Sequence, residues 1–281
     1  MPAGGGLSRA RPVPAAERER RSRLAALATD TARAVGDAIE TGDVGIVTRK
    51  AGRANFATAA DHAAEKAIIA RLRAGAPDVP VLAEETATQA ARRADRLWVV
   101  DPIDGTLNFS RGLPFYCVAI GYVEGGRVLA GTVHAPRTGE TFSASLGGGA
   151  TLNGVPLQVS RVRRASEAFA VASLPFRGAS RRGSRFAMVN ATCARLRVVG
   201  SAALEIAYVA AGRFDLFVHE ALSPWDVAGP SLIAREAGAA VRSLDTGEDA
   251  AWDERRVVIG NPALVRDALK AMPLVRPPRR G

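Results

Sequence analysis

The 281-residue sequence contains little cysteine and no long apolar run. Its two cysteines, Cys117 and Cys193, lie far apart in the chain, so neither a disulfide framework nor a cysteine-rich metal site is expected. No stretch approaches the roughly 20 apolar residues that a membrane-spanning helix needs, and residues 1–23 lack the apolar core of a signal peptide. The sequence therefore predicts a cytoplasmic protein without a membrane partner.

Lysine is scarce as well, and the net charge of +10 comes from arginines that are unevenly distributed. Residues 1–23 hold six of them, and residues 161–197 hold nine against the single acid Glu167. Such segments are often solvated helix faces, but they also attract anionic ligands and give weak affinity for nucleic acid. Because no aromatic residues interleave with these arginines and no nucleic-acid motif is present, nucleic acid is not the expected partner.

The spacing of apolar residues divides the chain into two halves between basic tails at 1–22 and 273–281. The first tail lacks hydrophobic periodicity and is predicted to be disordered. Residues 23–155 show two helices, a strand that ends at Asp101, and an antiparallel meander. Residues 156–272 alternate apolar strands with helices. The expected fold is an α/β layered sandwich, with an antiparallel sheet half followed by a mixed sheet half.

Two carboxylates stand three residues apart at the end of an apolar strand, in the sequence WVVDPIDGTLNF. These are Asp101 and Asp104. Glu84 follows another apolar run, at residues 79–82. Asp-Pro and Asp-Gly are also ordinary turn formers, so the pair alone does not indicate a site.

Two further acids begin predicted helices. Asp61 and Asp226 each lie three residues after a Thr or Ser, the spacing of a capping box in which the carboxylate satisfies free backbone N–H groups. Taken together with the strand-end acids, they also form the oxygen-rich ligand set that Mg²⁺ prefers. The absence of a Cys/His cluster argues against zinc. Spacing does not establish that these acids converge.

The stretch WVVDPIDGTLNF resembles the Asp-Pro-Ile/Leu-Asp-Gly-Thr/Ser signature of the inositol monophosphatase family of Mg²⁺-dependent, lithium-sensitive phosphatases. WDVAGPSLIAREAGA at 225–239 resembles the second signature, Trp-Asp-x-Ala-Gly followed by Glu-Ala-Gly-Gly, and VVGSAALEIAYVAAG at 198–212 resembles the Gly-Ser-Ala-Ala segment. The resemblance runs from about residue 24 to 272. It implies the layered fold shared with fructose-1,6-bisphosphatases, and a homodimer.

The resemblance also implies roles for individual residues. The ligands of two or three Mg²⁺ ions would be Glu84, Asp101, Asp104, Asp226 and the backbone carbonyl of Ile103, with Asp61 holding a weaker further ion through water. Glu84, Thr106 and Asp104 would be catalytic, the first two by orienting the attacking water. The positions matching substrate contacts are Lys50, Asp104, Gly105, Thr106, Gly200, Ser201, Ala202, His219 and Glu220.

The sequence departs from the family pattern at two places that bear on metal and substrate. Asn55 and Ala57 occupy the Asp-x-Val-Thr positions of the weaker metal site. His219 stands where the family commonly has a sugar-contacting Glu, with Glu220 beside it, so either residue is a candidate for that contact.

The expected activity is hydrolysis of a small phosphorylated metabolite, with inositol 1-phosphate first. Histidinol phosphate, fructose 1,6-bisphosphate and 3′-phosphoadenosine nucleotides are alternative substrates within the same chemistry. A protein that kept the fold and binds RNA or another acidic partner through 161–197 is the alternative from a different class.

Overall fold

The computed structural model describes residues 13–42, 48–49, 56–57, 59–173 and 185–271. Lys50 and Asn55 therefore lie outside the described residues, as do the predicted basic tail at 273–281 and residues 1–12. In the described ranges, no helix combines the length and apolar character needed to cross a membrane.

The helices alternate with strands along the chain. In order they are α1 (Ala15–Thr41), α2 (Ala59–Gly75), α3 (Gln89–Arg92), α4 (Thr106–Ser110), α5 (Arg185–Thr192), α6 (Ala202–Ala210), α7 (Pro224–Glu236) and α8 (Pro262–Ala271).

The strands form a short hairpin and two sheets. The hairpin pairs β1 (Thr48–Arg49) with β2 (Phe56–Ala57). The first sheet runs in chain order through β3 (Val81–Ala83), β4 (Arg96–Asp104), β5 (Cys117–Glu124), β6 (Arg127–Ala135), β7 (Glu140–Ser145), β8 (Gly149–Leu152) and β9 (Val155–Pro156). The second has the order β11-β10-β12-β14-β13 and comprises β10 (Phe169–Ser173), β11 (Arg195–Arg197), β12 (Leu216–His219), β13 (Ala240–Ser243) and β14 (Val257–Gly260).

The pairing of these strands confirms the predicted layered α/β fold and adds one detail. From β4 to β9 the first sheet is an antiparallel meander, as the turn signals between its strands predict. The β3 strand adds to its edge in parallel with β4. The second sheet is mixed, because β10 pairs in parallel with β11 and β12 whereas β14 is antiparallel to both its neighbours.

Helix α1 begins at Ala15, eight residues before the expected start of the folded part at 23, and this corrects the predicted boundary of the first tail. Charged side chains hold these residues in place, and a search for hydrophobic periodicity does not detect such contacts. Arg20 pairs with Glu124 at 2.9 Å, and Arg21 is buried with its guanidinium donating to the Leu146 carbonyl at 3.0 Å. The predicted apolar face of this helix is buried from Ala25 onward.

The helices and sheets stack in five layers. Apolar side chains of α1 and α2 pack with Trp98 and Ile120 on one face of the first sheet. Helices α6 and α7 fill the space between the two sheets, where one core cluster joins Phe142 of the first sheet to Phe217 of the second. Helices α5 and α8 cover the outer face of the second sheet. The two halves of the sequence therefore share a core.

Helix α7 lies unusually close to the first sheet because a glycine faces it. A Cβ on Gly229 would stand 2.5 Å from the carbonyl oxygen of Ile120, a distance that no side chain can occupy. Pro230 follows inside the helix, which continues to Glu236. This close contact fixes the height of the first turn of α7, and hence of Asp226, above the strands.

Candidate active site

A bulge at the end of β4 turns two acids toward the same side of the sheet. In a regular strand, residues three apart point to opposite faces. Here Asp101 pairs with Ala119 and Asp104 with Cys117, so three steps along β4 correspond to two along β5. The extra residue lies beside Pro102, which has no N–H to donate to a ladder. The bulge explains why the motif places two carboxylates at this spacing.

Three carboxylates converge at this bulge. One oxygen from each of Asp101, Asp104 and Asp226 lies within 4.8 Å of the others. Asp101 is 2% exposed and Asp104 is 8% exposed, whereas Asp226 is partly buried. The structure thus brings together three predicted metal ligands from two strongly separated segments of the chain.

Asp104 also joins the two halves of the molecule. Its Oδ2 accepts hydrogen bonds from the Ser201 hydroxyl at 2.6 Å and from the Ala203 N–H at 2.7 Å, and its Oδ1 accepts from the Ala202 N–H at 3.2 Å. These donors form the first turn of α6, so the carboxylate satisfies backbone groups that a helix start leaves unpaired.

Asp226 serves as a helix cap and as a member of the cluster at once. Its Oδ2 accepts the Ser223 N–H at 2.7 Å, and the Ser223 side chain accepts in return from the backbone of residue 226, which completes a capping box. The cap holds the carboxylate still while its other oxygen remains available to the cluster. The structural and functional interpretations of this motif are therefore compatible.

Glu84 reaches the cluster through the parallel register of β3 and β4. Ala83 pairs with Val100, and the Glu84 N–H donates to the Val100 carbonyl at 3.2 Å, which brings Glu84 beside Asp101. Asp61, in the first turn of α2, is fully buried, and its charge also acts on Asp101. The Thr106 hydroxyl lies 3.1 Å from Asp61 Oδ1 and 3.0 Å from the carbonyl of Ile103.

Among the described residues, burial and neighbouring carboxylates are what shift the pKa of the clustered acids upward. Burial raises the pKa of Asp101 well above its usual range, and the nearby charges of Glu84, Asp104, Asp226 and Asp61 raise it further. Burial likewise raises the pKa of Asp226 and of Asp104, and at Asp104 the hydrogen bonds from Ser201 and the first turn of α6 oppose the shift. Asp101 Oδ1 is buried and has no hydrogen-bond partner among the described residues. An all-oxygen donor set with an unpaired buried oxygen fits a hard divalent cation.

Gly105, between the cluster and α4, adopts a conformation that other residues avoid. Its φ is +91°, and a Cβ there would lie 3.1 Å from the Phe115 carbonyl oxygen and 3.1 Å from the Ser201 Cβ. Glycine is therefore required both by the left-handed backbone and by the close packing of residues 200–201.

The two candidates for the sugar contact lie at the end of β12, where His219 is the last residue of the strand and Glu220 follows it. His219 is partly buried, and its Nδ1 accepts the N–H of Ala221 at 3.0 Å. Burial lowers the pKa of His219 to about 4, so the ring is neutral at physiological pH. Since Nδ1 is an acceptor, the proton of the neutral ring lies on Nε2.

Two buried polar side chains near the cluster were absent from the residues predicted from the sequence. Asn108 donates through Nδ2 to the carbonyls of Phe115 at 2.8 Å and Val199 at 2.9 Å. Glu205 is fully buried and accepts the N–H groups of Val199 at 3.1 Å and Gly200 at 3.0 Å. The signal that could have revealed Glu205 is an acid in the middle of the apolar run SAALEIAYVAAG.

The described arginines of the segment 161–197 make their contacts outside the carboxylate cluster. Of its described members, Arg161 and Arg163 are exposed, Arg164 pairs with Glu167, and the Arg197 guanidinium lies over the Phe169 ring at 5.3 Å. Arg177, Arg181 and Arg182 lie outside the described residues. Both cysteines are free, with Cys117 buried, which agrees with the prediction of isolated thiols.

Comparison with known proteins gives a consistent result. A sequence model of the inositol monophosphatase family matches residues 19–273. A protein of Thermotoga maritima named fructose-1,6-bisphosphatase/inositol-1-monophosphatase is 35% identical over 236 residues, covering 83% of this chain and 89% of that one. The Nus factor SuhB of Escherichia coli K12 is 36% identical over 253 residues, covering 88% and 94% respectively.

The fold agrees with the sequence match. The structure of an IMPase from Thermotoga maritima superimposes with a TM-score of 0.80 at 34% identity, covering 89% of this chain and 96% of that one. The family model's match over residues 19–273 spans both sheets and the helices between them, and it includes Asp101, Asp104 and Asp226. The chain belongs to the inositol monophosphatase family.

Proposed function

We propose that this chain is a Mg²⁺-dependent phosphomonoesterase that hydrolyses a small phosphorylated metabolite, with inositol 1-phosphate as the first candidate. The observation that carries the proposal is the convergence of Asp101, Asp104 and Asp226 within 4.8 Å, with Asp101 and Asp104 buried and Asp226 partly buried. The name of the 35% identical relative, fructose-1,6-bisphosphatase/inositol-1-monophosphatase, supports the same reaction class and makes fructose 1,6-bisphosphate the second candidate.

The cluster and its neighbours would hold two or three Mg²⁺ ions. Asp101, Asp104, Asp226, Glu84 and the Ile103 carbonyl are the proposed ligands, with Asp61 near the weakest site. Bound Mg²⁺ lowers the pKa of a coordinated water and neutralises charge on the phosphoryl oxygens.

Thr106 and Glu84 are proposed to orient the attacking water. The Thr106 hydroxyl has one proton, which it donates to Asp61 or to the Ile103 carbonyl. Its oxygen lone pairs then remain free to accept a hydrogen bond from water, which fixes the direction in which that water faces the phosphorus. Glu84, which also lies near Asp101, is proposed as a second acceptor.

The substrate is proposed to lie between Gly105 and the start of α6. The N–H groups of Gly105 and Thr106 would bind phosphate oxygens, together with Lys50, which lies outside the described residues. Gly200, Ser201 and Ala202 border the same space because the Ser201 hydroxyl contacts Asp104.

For the sugar contact we favour Glu220 over His219. His219 is neutral and already accepts a hydrogen bond from its own loop, so it retains only the donor at Nε2. A carboxylate accepts hydrogen bonds from two neighbouring hydroxyls of a polyol, which suits inositol better.

A homodimer is part of the proposal, and exposed apolar side chains support it. Leu107, Leu113 and Val198 are about half exposed, at 46%, 52% and 51%. The segments that carry them are joined by the Asn108 hydrogen bond to Val199. Sedimentation equilibrium tests this part, and we expect twice the monomer mass for the wild type and a shift toward the monomer mass for L113D.

Binding of a macromolecule is a second candidate function, because a relative with 36% identity is named Nus factor SuhB. The exposed Arg161 and Arg163 give a positive surface for such a role. Binding of RNA by the purified chain at physiological salt would support it. An RNA affinity that is lost as the salt concentration rises would indicate contacts to phosphate alone.

A variant series tests the phosphatase proposal. Asp101→Asn removes one charge at the position with an unpaired oxygen, and we expect phosphate release to fall by about 10³-fold, as for loss of a group that stabilises transition-state charge. Asp78→Asn, on an exposed loop after α2, is the matched control and should leave the rate unchanged. Undiminished turnover in D101N would contradict the assignment.

A further inference from the structure

The backbone at residues 199–201 is the place where the second half of the chain meets the proposed phosphate-binding turn. Gly200 has φ +90°, and its carbonyl would lie 3.3 Å from a Cβ on Gly105. The next residue, Ser201, places its hydroxyl on Asp104 at 2.6 Å. A small movement of this segment would therefore reach both Gly105 and a clustered carboxylate.

Two side chains from different helices hold this segment by hydrogen bonds. Asn108, on α4, uses its amide group to bond the carbonyls of Val199 and Phe115. Glu205, on α6, uses a single oxygen, Oε1, to accept the N–H groups of Val199 and Gly200. Between them they bind both polar groups of residue 199. We refer to Asn108 and Glu205, with the segment between them, as the 199–200 clamp.

Glu205 is an unfavourable residue for a purely structural role. It is fully buried in an otherwise apolar helix, and its second oxygen, Oε2, has no hydrogen-bond partner in the described part of the chain. Burial raises its pKa to about 7. A buried acid with an unsatisfied oxygen destabilises a fold relative to a neutral residue of similar size.

We propose that Asn108 and Glu205 are positioning residues for the phosphatase reaction: the 199–200 clamp holds Gly200 and Ser201 against Gly105 and Asp104 so that a substrate finds a preformed wall. Neither side chain touches the substrate. The inference rests on the proposed function for its catalytic part, whereas the ordering of the segment does not depend on activity.

Conservative and disruptive variants have opposite expected effects. Glu205→Gln keeps an oxygen that accepts both N–H groups, so we expect it to retain kcat/KM within about threefold of wild type. Glu205→Ala and Asn108→Ala remove one side of the clamp each. These two variants would make Gly200 and Ser201 more mobile and leave the cluster of acids intact. We therefore expect KM to rise at least tenfold with a smaller change in kcat.

A buried residue on the far end of the same helix provides the control for simple destabilisation. Val209 is fully buried on α6, one turn beyond Glu205, and Val209→Ala creates a cavity without touching the clamp. We expect V209A to lower the thermal midpoint as E205A does while leaving KM unchanged. Equal KM values for V209A and E205A would overturn the positioning role.

Amide hydrogen exchange gives a readout that does not need turnover. In substrate-free protein, we expect E205A and N108A to speed exchange of the amides in 198–204 at least tenfold over wild type, and V209A and E205Q to leave this segment protected. Unchanged exchange in both alanine variants refutes the clamp. If the alanine variants show the faster exchange but the wild type hydrolyses no phosphomonoester, the proposed function and the catalytic part of the inference are refuted. The structural role of the clamp would then stand by itself.

Discussion

Replacing Gly105 with alanine tests how closely the turn after the paired aspartates is fitted to its surroundings. Two separate penalties apply at this position. The first is the left-handed backbone, which costs a residue with a Cβ about 1–2 kcal/mol. The second is contact, since the added Cβ would lie 3.1 Å from the Phe115 carbonyl oxygen and 3.1 Å from the Ser201 Cβ, inside the usual separation of about 3.5–4.0 Å.

A second glycine nearby separates the two penalties. Gly112 has φ +72°, but a Cβ there would meet nothing within 4 Å. Gly112→Ala should therefore lower the free energy of unfolding only by the cost of the left-handed backbone, about 1–2 kcal/mol. Gly105→Ala should lower the free energy of unfolding by a further amount of roughly 1–3 kcal/mol, the range measured for overpacking. The reason is that the Phe115 carbonyl oxygen and the Ser201 Cβ are not the ends of flexible side chains and move aside only with the backbone. Urea unfolding of the two variants against wild type measures the difference.

Activity should separate the same pair. G105A pushes on Ser201, which bonds Asp104, so we expect at least a tenfold loss of phosphate release, whereas G112A stays within about threefold of wild type. If the two variants unfold with the same free energy and hydrolyse at the same rate, the packing argument at Gly105 is wrong.

Further predictions concern pH, metal and substrate. The pKa of Glu205 is raised from 4.5 to about 7 by burial, so the folded state binds its proton more tightly; its contribution to stability is full below pH 4.5 and is lost as pH rises to about 7. The thermal midpoint of wild type minus that of E205Q should therefore fall as the pH rises from 4.5 to about 7. A difference between the two midpoints that does not change with pH would contradict the burial argument. Mg²⁺ at 100 times its dissociation constant should stabilise the fold by about 2.7 kcal/mol, and in D101N most of this gain should be absent from the melting curve. Glu220→Gln should raise KM for inositol 1-phosphate at least tenfold and leave KM for glycerol 2-phosphate unchanged, whereas equal effects on both substrates would remove Glu220 from the sugar contact.

Much of the fold could be predicted from the sequence because its elements carry strong local signals. The meander from β5 to β7 follows from alternating apolar runs separated by EGGR and APRTGE, and the structure confirms it. The start of α1 could not be found in this way. Its first turns are held by ion pairs to Glu17 and Glu124, and the second of these partners lies over a hundred residues away in the chain.

The candidate site shows a similar division. The acids at strand ends and helix starts could be named from the sequence, and Asp226 illustrates why local reasoning left two interpretations open: the capping box exists, and the same carboxylate also joins the cluster. What the sequence does not contain is the bulge that places Asp101 and Asp104 on one side. Spacing of three in a strand predicts opposite faces, and only the pairing with β5 reveals the extra residue.

The roles of Asn108 and Glu205 depend on contacts between distant segments. Asn108 lies in the WVVDPIDGTLNF motif, yet it bonds a carbonyl 91 positions away. Glu205 bonds locally, but the functional meaning of those bonds arises only when residues 199–201 pack on Gly105. Such relations arise from tertiary packing and leave only a faint trace in the local pattern.

The most direct test of the account is phosphate release by the wild-type chain, with Mg²⁺ and with EDTA. The substrates are inositol 1-phosphate, histidinol phosphate, fructose 1,6-bisphosphate, 3′-phosphoadenosine 5′-phosphate and glycerol 2-phosphate. We expect release that requires Mg²⁺, with inositol 1-phosphate preferred by tenfold or more, which corresponds to about 1.4 kcal/mol of transition-state binding. Release that persists in EDTA, or no release from any of these substrates, would contradict the assignment of the aspartate cluster as the metal centre of a phosphatase.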